Sequence, residues 1–390
     1  MQLHFEEGQV SRVVLAPALT PFSEEVMAFL QNLSEELRSR GRDYPDVMAF
    51  AFWCRRAALL KAKERYPDAE RRLGRGTVFH IAPGNVPLLF AYSLAAGLLA
   101  GNKNIVRLSG RVFPQADLVT DTIGVLIQEK HPEMKDYICL LRYGHDDEIT
   151  AILSAAADIR VIWGGDATID RIRRIPLKAG ADDICFADRC GICVISAEDY
   201  LQEESKDLLI QRFYNDSYVF DQNACTSPFV IIWTGNTAET ASADFRRRLG
   251  EMAEKEYHPE PAQTVGKLAA FLEAAAVLPL QLKTSLRKPN FMAAEVLGLD
   301  GRLLQHRYHS GYFYEYKATE LEEILPLCST RCGTITYFGS IEDSLRKLVR
   351  ENACEGGRRI VPIGSALDFS LDWDGYDLIR DMSAFATIFP

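Results

Sequence analysis

The chain has 390 residues, a length that suits two or three domains rather than one small core. Its formal net charge of −10 excludes nucleic acid or an anionic membrane as the main partner, since both need a basic surface. Nine cysteines, an odd number scattered through a chain too large to need staples, imply free thiols in a reducing, cytoplasmic setting. The opening MQLHFEEGQV has no secretory pattern, and the most apolar stretch, Val86 to Ala100, is too short to span a bilayer.

The first seventy residues read as a helical preface. Val26, Phe29, Leu30, Leu33 and Leu37 fall at helical spacing, and the stretch from Val47 to Tyr66 predicts a second helix ending near Pro67. From Gly76 the rhythm changes. TVFHIAP predicts a short buried strand, followed by a turn at Pro83-Gly84-Asn85 and an apolar helix from about Pro87 to Leu99. NIVRL, YICLLRY and IRVIW predict further strands, separated by helices over 113–130 and 146–157, with another helix in ATIDRIRRI. Short apolar strands alternating with helices predict an α/β fold built on a doubly wound parallel sheet. After Ala179, GICVI and FVIIWT predict strands flanking a helix over 198–213 and the loop NDSYVFDQNACTSP. Helices are expected over 237–255 and 262–276, and TITYF, RRIVPIG and a Trp373-Asp374-Gly375 turn complete the chain. The expected organisation is a preface plus nucleotide-binding domain (1–189), a catalytic domain (190–365) and a C-terminal segment (366–390) that packs back or meets another subunit.

Chemistry needs polar groups at strand ends. Asn85 lies on such a loop before a helix, where its amide suits either an oxyanion donor or a simple N-cap. Trp163-Gly164-Gly165-Asp166 follows a strand and opens a helix, a place where a pyrophosphate can approach backbone N–H groups, although no GxGxxG occurs. Cys225 sits in a polar, turn-like loop, whereas Cys54, Cys139, Cys185 and Cys193 lie in apolar runs that look like core. A thiolate there matches a thioester substrate, because thiol–thioester exchange is nearly isoenergetic. Cys190, Cys193, Cys328 and Cys332 have the spacing of two thiolate pairs, but their apolar setting argues against zinc, and no metal is expected. Arg246-Arg247-Arg248 reads as a solvated helix face.

In this order the pieces resemble the aldehyde dehydrogenase superfamily and, within it, acyl-CoA reductases of the LuxC type. The resemblance rests on Pro83-Gly84-Asn85-Val86-Pro87 through Ala100-Gly101-Asn102, on Phe220-Asp221-Gln222-Asn223-Ala224-Cys225-Thr226-Ser227-Pro228, and on 359–364 with Trp373-Asp374-Gly375. It implies two doubly wound parallel-sheet domains and a Cys225 nucleophile acylated by the substrate. Asn85, with the Cys225 backbone N–H, would stabilise the oxyanion. Arg107 stands where the superfamily has a ribose-binding lysine, and Gly164 and Gly165 match its pyrophosphate turn. A homo-oligomer and an acyl-activating partner enzyme are further implications.

Two departures refine that picture. Oxidising members carry a glutamate that activates water, but the corresponding stretch Phe186 to Gly191 has only Asp188 as a shifted substitute. Arg107-Leu108-Ser109-Gly110-Arg111 has two cations and no carboxylate to repel a 2′-phosphate, which favours NADPH over NADH. The expected activity is reduction of acyl-CoA, or an acyl-enzyme thioester, to an aldehyde. The competing readings are an oxidising aldehyde dehydrogenase with Asp188 as base, and a non-catalytic nucleotide-binding scaffold in an acyl-transfer complex.

Overall fold

Before residue 180, four strand-length runs are buried throughout: Thr77–Ile81, Lys103–Leu108, Ile138–Arg142 and Ile159–Trp163. Burial on both faces is what a central parallel strand requires, and these runs pair in parallel. The computed structural model describes residues 9–284 and 290–386. The chain divides into two units, Asp188–Asp368 and the residues on either side of it.

The first unit begins α1 (Gln9–Leu15), α2 (Glu24–Arg40), α3 (Pro45–Trp53), α4 (Arg56–Lys63) and β1 (Arg72–Gly74). It continues β2 (Thr77–Ile81), α5 (Leu89–Leu99), β3 (Lys103–Leu108), α6 (Pro114–Glu129), β4 (Ile138–Arg142), α7 (Asp147–Ala156), β5 (Ile159–Trp163), α8 (Asp166–Arg173) and β6 (Asp182–Phe186). The sheet order is β4-β3-β2-β5-β6, all parallel. From β2 the chain moves outward to β3 and β4, then returns to the other side of β2 for β5. The winding therefore reverses between β2 and β5, and the crevice beyond their carboxyl ends is where an open α/β sheet takes its ligand. Asn85 follows β2, and Gly164 and Gly165 follow β5.

The second unit runs β7 (Cys190–Ser196), α9 (Ala197–Gln202), α10 (Lys206–Tyr218), β8 (Pro228–Thr234), α11 (Ala238–Glu256), α12 (Pro261–Ala275) and β9 (Leu280–Leu282). It ends with β10 (Met292–Val296), β11 (Tyr312–Ala318), β12 (Cys332–Phe338), α13 (Glu342–Glu351) and β13 (Arg359–Pro362). Its sheet order is β13-β12-β7-β8-β11-β10-β9, parallel except for β9 at the edge. Phe213, Trp233, Phe245 and Phe313 pack one face, and Ile192, Val230, Tyr314 and Ile335 the other. The chain then rejoins the first unit through β14 (Asp372–Trp373), β15 (Tyr376–Asp377), α14 (Leu378–Asp381) and β16 (Ser383–Phe385), and β16 pairs antiparallel with β1. Asp374 and Gly375 both have positive φ, 53° and 91°, which the two-residue hairpin between β14 and β15 demands.

Several boundaries depart from the sequence expectation. The helix predicted from Val47 to Tyr66 is two helices, because Arg55 adopts an extended conformation between α3 and α4, with its guanidinium over the Phe52 ring. The helix predicted over 198–213 is likewise split between α9 and α10 by the extended Glu203. The apolar helix begins at Leu89, with Leu88 in the capping position, so Asn85 is not its N-cap. Strands β6, β10 and β11 were not expected. Glu315 and Lys317 break the apolar pattern of β11, yet Glu315 is 1% exposed and takes an ion pair from Arg246. That pair also corrects the reading of the arginine run. Arg247 and Arg248 pair with surface carboxylates, but Arg246 reaches into the sheet.

Candidate active site

Burial separates the nine thiols. Seven are buried, and only Cys185 and Cys225 are partly exposed. Burial pushes the Cys190 thiol up to about 11 and those of Cys139, Cys193 and Cys328 up to about 12, which suppresses the nucleophilic thiolate. Cys185 lies within β6, and its thiol is also raised by burial, with Asp183 adding to the effect. Cys225 is the partly exposed thiol on a loop. Cys190 and Cys332 are register partners on β7 and β12, while Cys328 has Cys354 as its neighbour. Among the described residues, no group of three or more His, Cys, Asp or Glu is arranged to hold a metal.

The loop before Cys225 is tied down at nearly every polar group. Asp221 and Gln222 both adopt the left-handed conformation, with φ of 54° and 55°. Gln222, 1% exposed, spends its whole amide on the backbone. Its Oε1 accepts from Gly311 N at 2.7 Å and Tyr312 N at 3.1 Å, and its Nε2 donates to the carbonyls of Pro228 and Tyr312, both at 3.1 Å. These four bonds fasten the loop to the starts of β8 and β11. Asp221 accepts hydrogen bonds from Tyr257 Oη, from Gln263 Nε2 at 2.7 Å and from Ser310 Oγ at 3.1 Å, and His309 Nδ1 lies 3.2 Å away. Burial raises the Asp221 carboxyl, but the bonds from His309, Tyr257 and Ser310 outweigh it and hold the group below its usual range. Lys267, also buried, donates to the Ser310 carbonyl at 2.7 Å, and burial brings its ammonium down to about 8.

The residues after Cys225 are anchored through Asp216. Ser227 Oγ donates to the Asp216 carbonyl at 2.8 Å. The Asp216 carboxylate accepts from Gly364 N at 2.6 Å and Ala366 N at 3.0 Å. The cysteine loop and the 359–364 segment, far apart in sequence, thus meet on one buried aspartate. Asp188 is held by Arg307 and, at 3.8 Å, by Arg331.

The expected cofactor residues all lie in the first unit, at strand ends. Asn85 is exposed on the loop after β2. Gly84 abuts Ser109, since a Cβ on Gly84 would stand 3.1 Å from Ser109 Oγ. That oxygen accepts from Arg111 N at 3.0 Å, and the exposed Arg111 lays its guanidinium over Phe113. Arg107 is 9% exposed at the end of β3. It donates to the Gly144 carbonyl at 3.1 Å and lies over the Tyr143 ring, while its buried Nε has no hydrogen-bond partner. Burial lowers the Arg107 guanidinium, Tyr143 opposes that shift and Arg171 reinforces it. A Cβ on Gly165 would meet nothing within 4 Å, so there is open space beside the residue that caps α8. These features fit a dinucleotide: a helix N-terminus with open space beside its Gly165 cap for the phosphates, and a guanidinium with an unspent donor.

Sequence reasoning missed Arg171, His145 and Arg142. Arg171 Nη2 lies 3.0 Å from His145 Nδ1, and Arg142 ends β4 with Nη2 2.7 Å from Asp117. The RYGHDD run at the end of a predicted strand holds Arg142 and His145, and Arg171 lies in the predicted ATIDRIRRI helix. No single residue type in either stretch is diagnostic of a cofactor site. Gln222 and Asp216 gave no local signal, because most of their side-chain partners lie roughly 90 and 150 residues away.

Two parallel-sheet units with a loop cysteine define an aldehyde-dehydrogenase-like fold. A solved NAD-dependent aldehyde dehydrogenase from Sinorhizobium meliloti superposes with a TM-score of 0.69 at 10% identity, covering 97% of this chain and 85% of that one. The profile described as acyl-CoA reductase (LuxC) matches residues 7–288, and the chain belongs to that family. A long-chain acyl-protein thioester reductase of Vibrio harveyi is 29% identical over 185 residues, which is 46% of this chain and 36% of the relative. Its counterpart in Aliivibrio fischeri is 23% identical over 311 residues, 75% of this chain and 61% of the relative. The chain therefore spans roughly a third to three-fifths of the length of these relatives.

Proposed function

We propose that the protein reduces an acyl thioester, acyl-CoA or acyl-protein, to an aldehyde through an acylated Cys225. The observation that carries this reading is a partly exposed cysteine in a loop whose neighbouring polar groups are spent on holding it. Cys225 Sγ attacks the thioester carbonyl, the new C–S bond forms, and the carrier departs as its thiol. Asn85 and the Cys225 N–H supply the donors for the oxyanion. A reduced nicotinamide, when bound, supplies the hydride that the acyl group needs to leave as aldehyde. The overall conversion consumes that hydride and one proton, and it releases aldehyde, carrier thiol and the Cys225 thiolate.

Gly164 and Gly165 would hold the pyrophosphate, and Arg107, Ser109 and Arg111 the ribose side. With no carboxylate among the charges that shift Arg107, the reading favours NADPH over NADH. Arg171, close enough to Arg107 to depress it, adds positive charge there. The ion pairs of Asp188 to Arg307 and Arg331 support reduction over hydrolysis, since a carboxylate committed to two guanidiniums is poorly placed to take a proton from water. The relatives' names suggest a long acyl chain on a protein carrier, and with it an acyl-activating partner. Homo-oligomerisation stays part of the proposal.

The test is NADPH oxidation across a series of acyl-CoA chain lengths, with Cys225→Ala as the control. The variant should lose about 10³-fold or more, as expected for removal of a covalent nucleophile. Full activity in Cys225→Ala would sink the mechanism. Reduction of NADP⁺ by free aldehyde without coenzyme A would point instead to the oxidising enzyme.

A further inference from the structure

A chain of buried polar groups runs beneath the crevice end of the first sheet, and the proposed chemistry does not use it. His80, in the middle of β2, is fully buried, and its two ring nitrogens are both engaged. Nδ1 lies 2.7 Å from Ser93 Oγ on α5, and Nε2 lies 2.9 Å from Asn104 Oδ1 on β3. Ser93 Oγ is also 3.0 Å from Trp163 Nε1 at the end of β5. Asn104 in turn donates through Nδ2 to the Asn102 carbonyl at 2.8 Å.

The proton on each member follows from its neighbours. Trp163 Nε1 only donates, so Ser93 Oγ accepts from it. Asn104 spends its Nδ2 on Asn102, so its Oδ1 is an acceptor, and His80 Nε2 must carry a hydrogen. Burial pulls the His80 imidazolium down to about 4, against the opposing bond from Asn104, so the ring is neutral and Nδ1 is bare. Ser93 therefore donates to His80 Nδ1. Every hydrogen in the relay points one way, from Trp163 through Ser93 and His80 to Asn104. Gly97 on α5 makes room for it, since a Cβ there would stand 2.0 Å from Asn104 Oδ1 and 3.0 Å from His80 Nε2. A glycine inside a helix costs about 1 kcal/mol relative to alanine, and here it is the residue that admits the relay.

The terminus of the relay is what gives it a use. Trp163 immediately precedes Gly164 and Gly165, and its indole stacks on Phe186 with ring centroids 3.7 Å apart. Gly164 N donates to the Phe186 carbonyl at 3.2 Å, and Tyr376 meets Phe186 edge-on. Ser93 sits on α5, the helix that follows the Asn85 loop. One hydroxyl thus ties together the strand bearing His80, the helix after the Asn85 loop and the strand end before the glycine turn.

We propose that His80, acting through Ser93 and Trp163, is a positioning residue for the Gly164–Gly165 turn, and so sets how tightly the dinucleotide is held. This rests on the nicotinamide reading above. His80 touches neither substrate nor cofactor. It fixes the rotamer of Trp163, and with it the backbone N–H groups that open α8.

The experiment compares Ser93→Ala, Trp163→Phe, the double variant, His80→Gln and His80→Leu with the wild-type chain, using equilibrium NADPH binding and steady-state kinetics. Trp163→Phe keeps a ring to stack on Phe186 while removing the indole donor together with part of the ring system. Ser93→Ala and Trp163→Phe should each weaken NADPH binding about tenfold, within the cost of misplacing a positioned group. The double variant should be little worse than either, because both cut the same relay. His80→Gln can accept from Ser93 and donate to Asn104, and it should keep most of the affinity that His80→Leu loses. The KM for NADPH should rise while the KM for the acyl thioester and the alkylation rate of Cys225 stay unchanged. A purely structural relay would lower the melting temperature with no change in cofactor affinity, and that result overturns the proposal. Additive single effects would overturn it as well. A wild-type chain that binds neither NADPH nor NADH would instead strike down the nicotinamide reading itself.

Discussion

The Cys225 loop and the strand-end loops of the first unit spend their polar groups in opposite ways. Around Cys225, Gln222 makes four backbone hydrogen bonds, and Asp221 gathers a tyrosine, a glutamine, a serine and a histidine. At the other set, Arg107 keeps a buried Nε without a partner, and Gly165 faces open space. Under the proposed function Cys225 would need to be held still before the substrate arrives, and a loop saturated with internal bonds suits that role. A surface that takes up a large charged ligand needs donors left over, and it retains them.

Breaking the saturated loop should have the largest effect. Gln222→Ala leaves two N–H groups and two carbonyls unpaired at the starts of β8 and β11, a loss of about 3 kcal/mol or more. Denaturant unfolding should show that loss, and alkylation should find Cys225 no longer distinct from a flexible thiol. An unchanged midpoint would mean that the loop is not held by this side chain. Changing the unsaturated side should have a smaller and different effect. Arg107→Gln should raise the KM for NADPH about tenfold, the scale of one charged hydrogen bond, with little change in stability. A large fall in melting temperature would show that Arg107 serves the fold rather than the ligand.

The smallest effect concerns pH. Burial pushes Asp216 up to about 7, against the opposing bonds from Gly364 and Ala366, whereas an unfolded aspartate titrates at about 4. Between those values the native state holds the extra proton, so stability falls as pH rises and levels off above about 7. Asp216→Asn should flatten that slope in melting temperature measured from pH 5 to 8. Glu315, also pushed up to about 7 by burial, leaves a residual slope. A slope equal to that of wild type would mean that Asp216 is ionised throughout.

Four of the five strands of the first sheet were legible because they are apolar runs punctuated by helices at the spacing a parallel sheet needs, whereas β6 opens on Asp182 and Asp183 and was not. β11 was not, because its core face is interrupted by Glu315, whose partner Arg246 lies 69 residues earlier and reads as surface. Cys225 stood out through its polar loop, a local signal. Gln222 and Asp216, which hold that loop, did not, because a side chain's partners across a fold leave no mark on its neighbours in sequence. The start of α5 was misjudged for a related reason. Pro87 is a good helix opener, but the chain stays in a turn until Leu89.

The pairing of β1 with β16 has a consequence for biosynthesis. The residues from Asp188 to Asp368 are an insertion between two stretches of the first unit, and they are contiguous. They can complete their own sheet as soon as they leave the ribosome. β1 must wait about three hundred residues for its partner strand, so the amino-terminal half spends most of translation with one edge unfinished. A nascent chain halted before Ser383 should therefore present a protease-sensitive first unit beside a resistant second one.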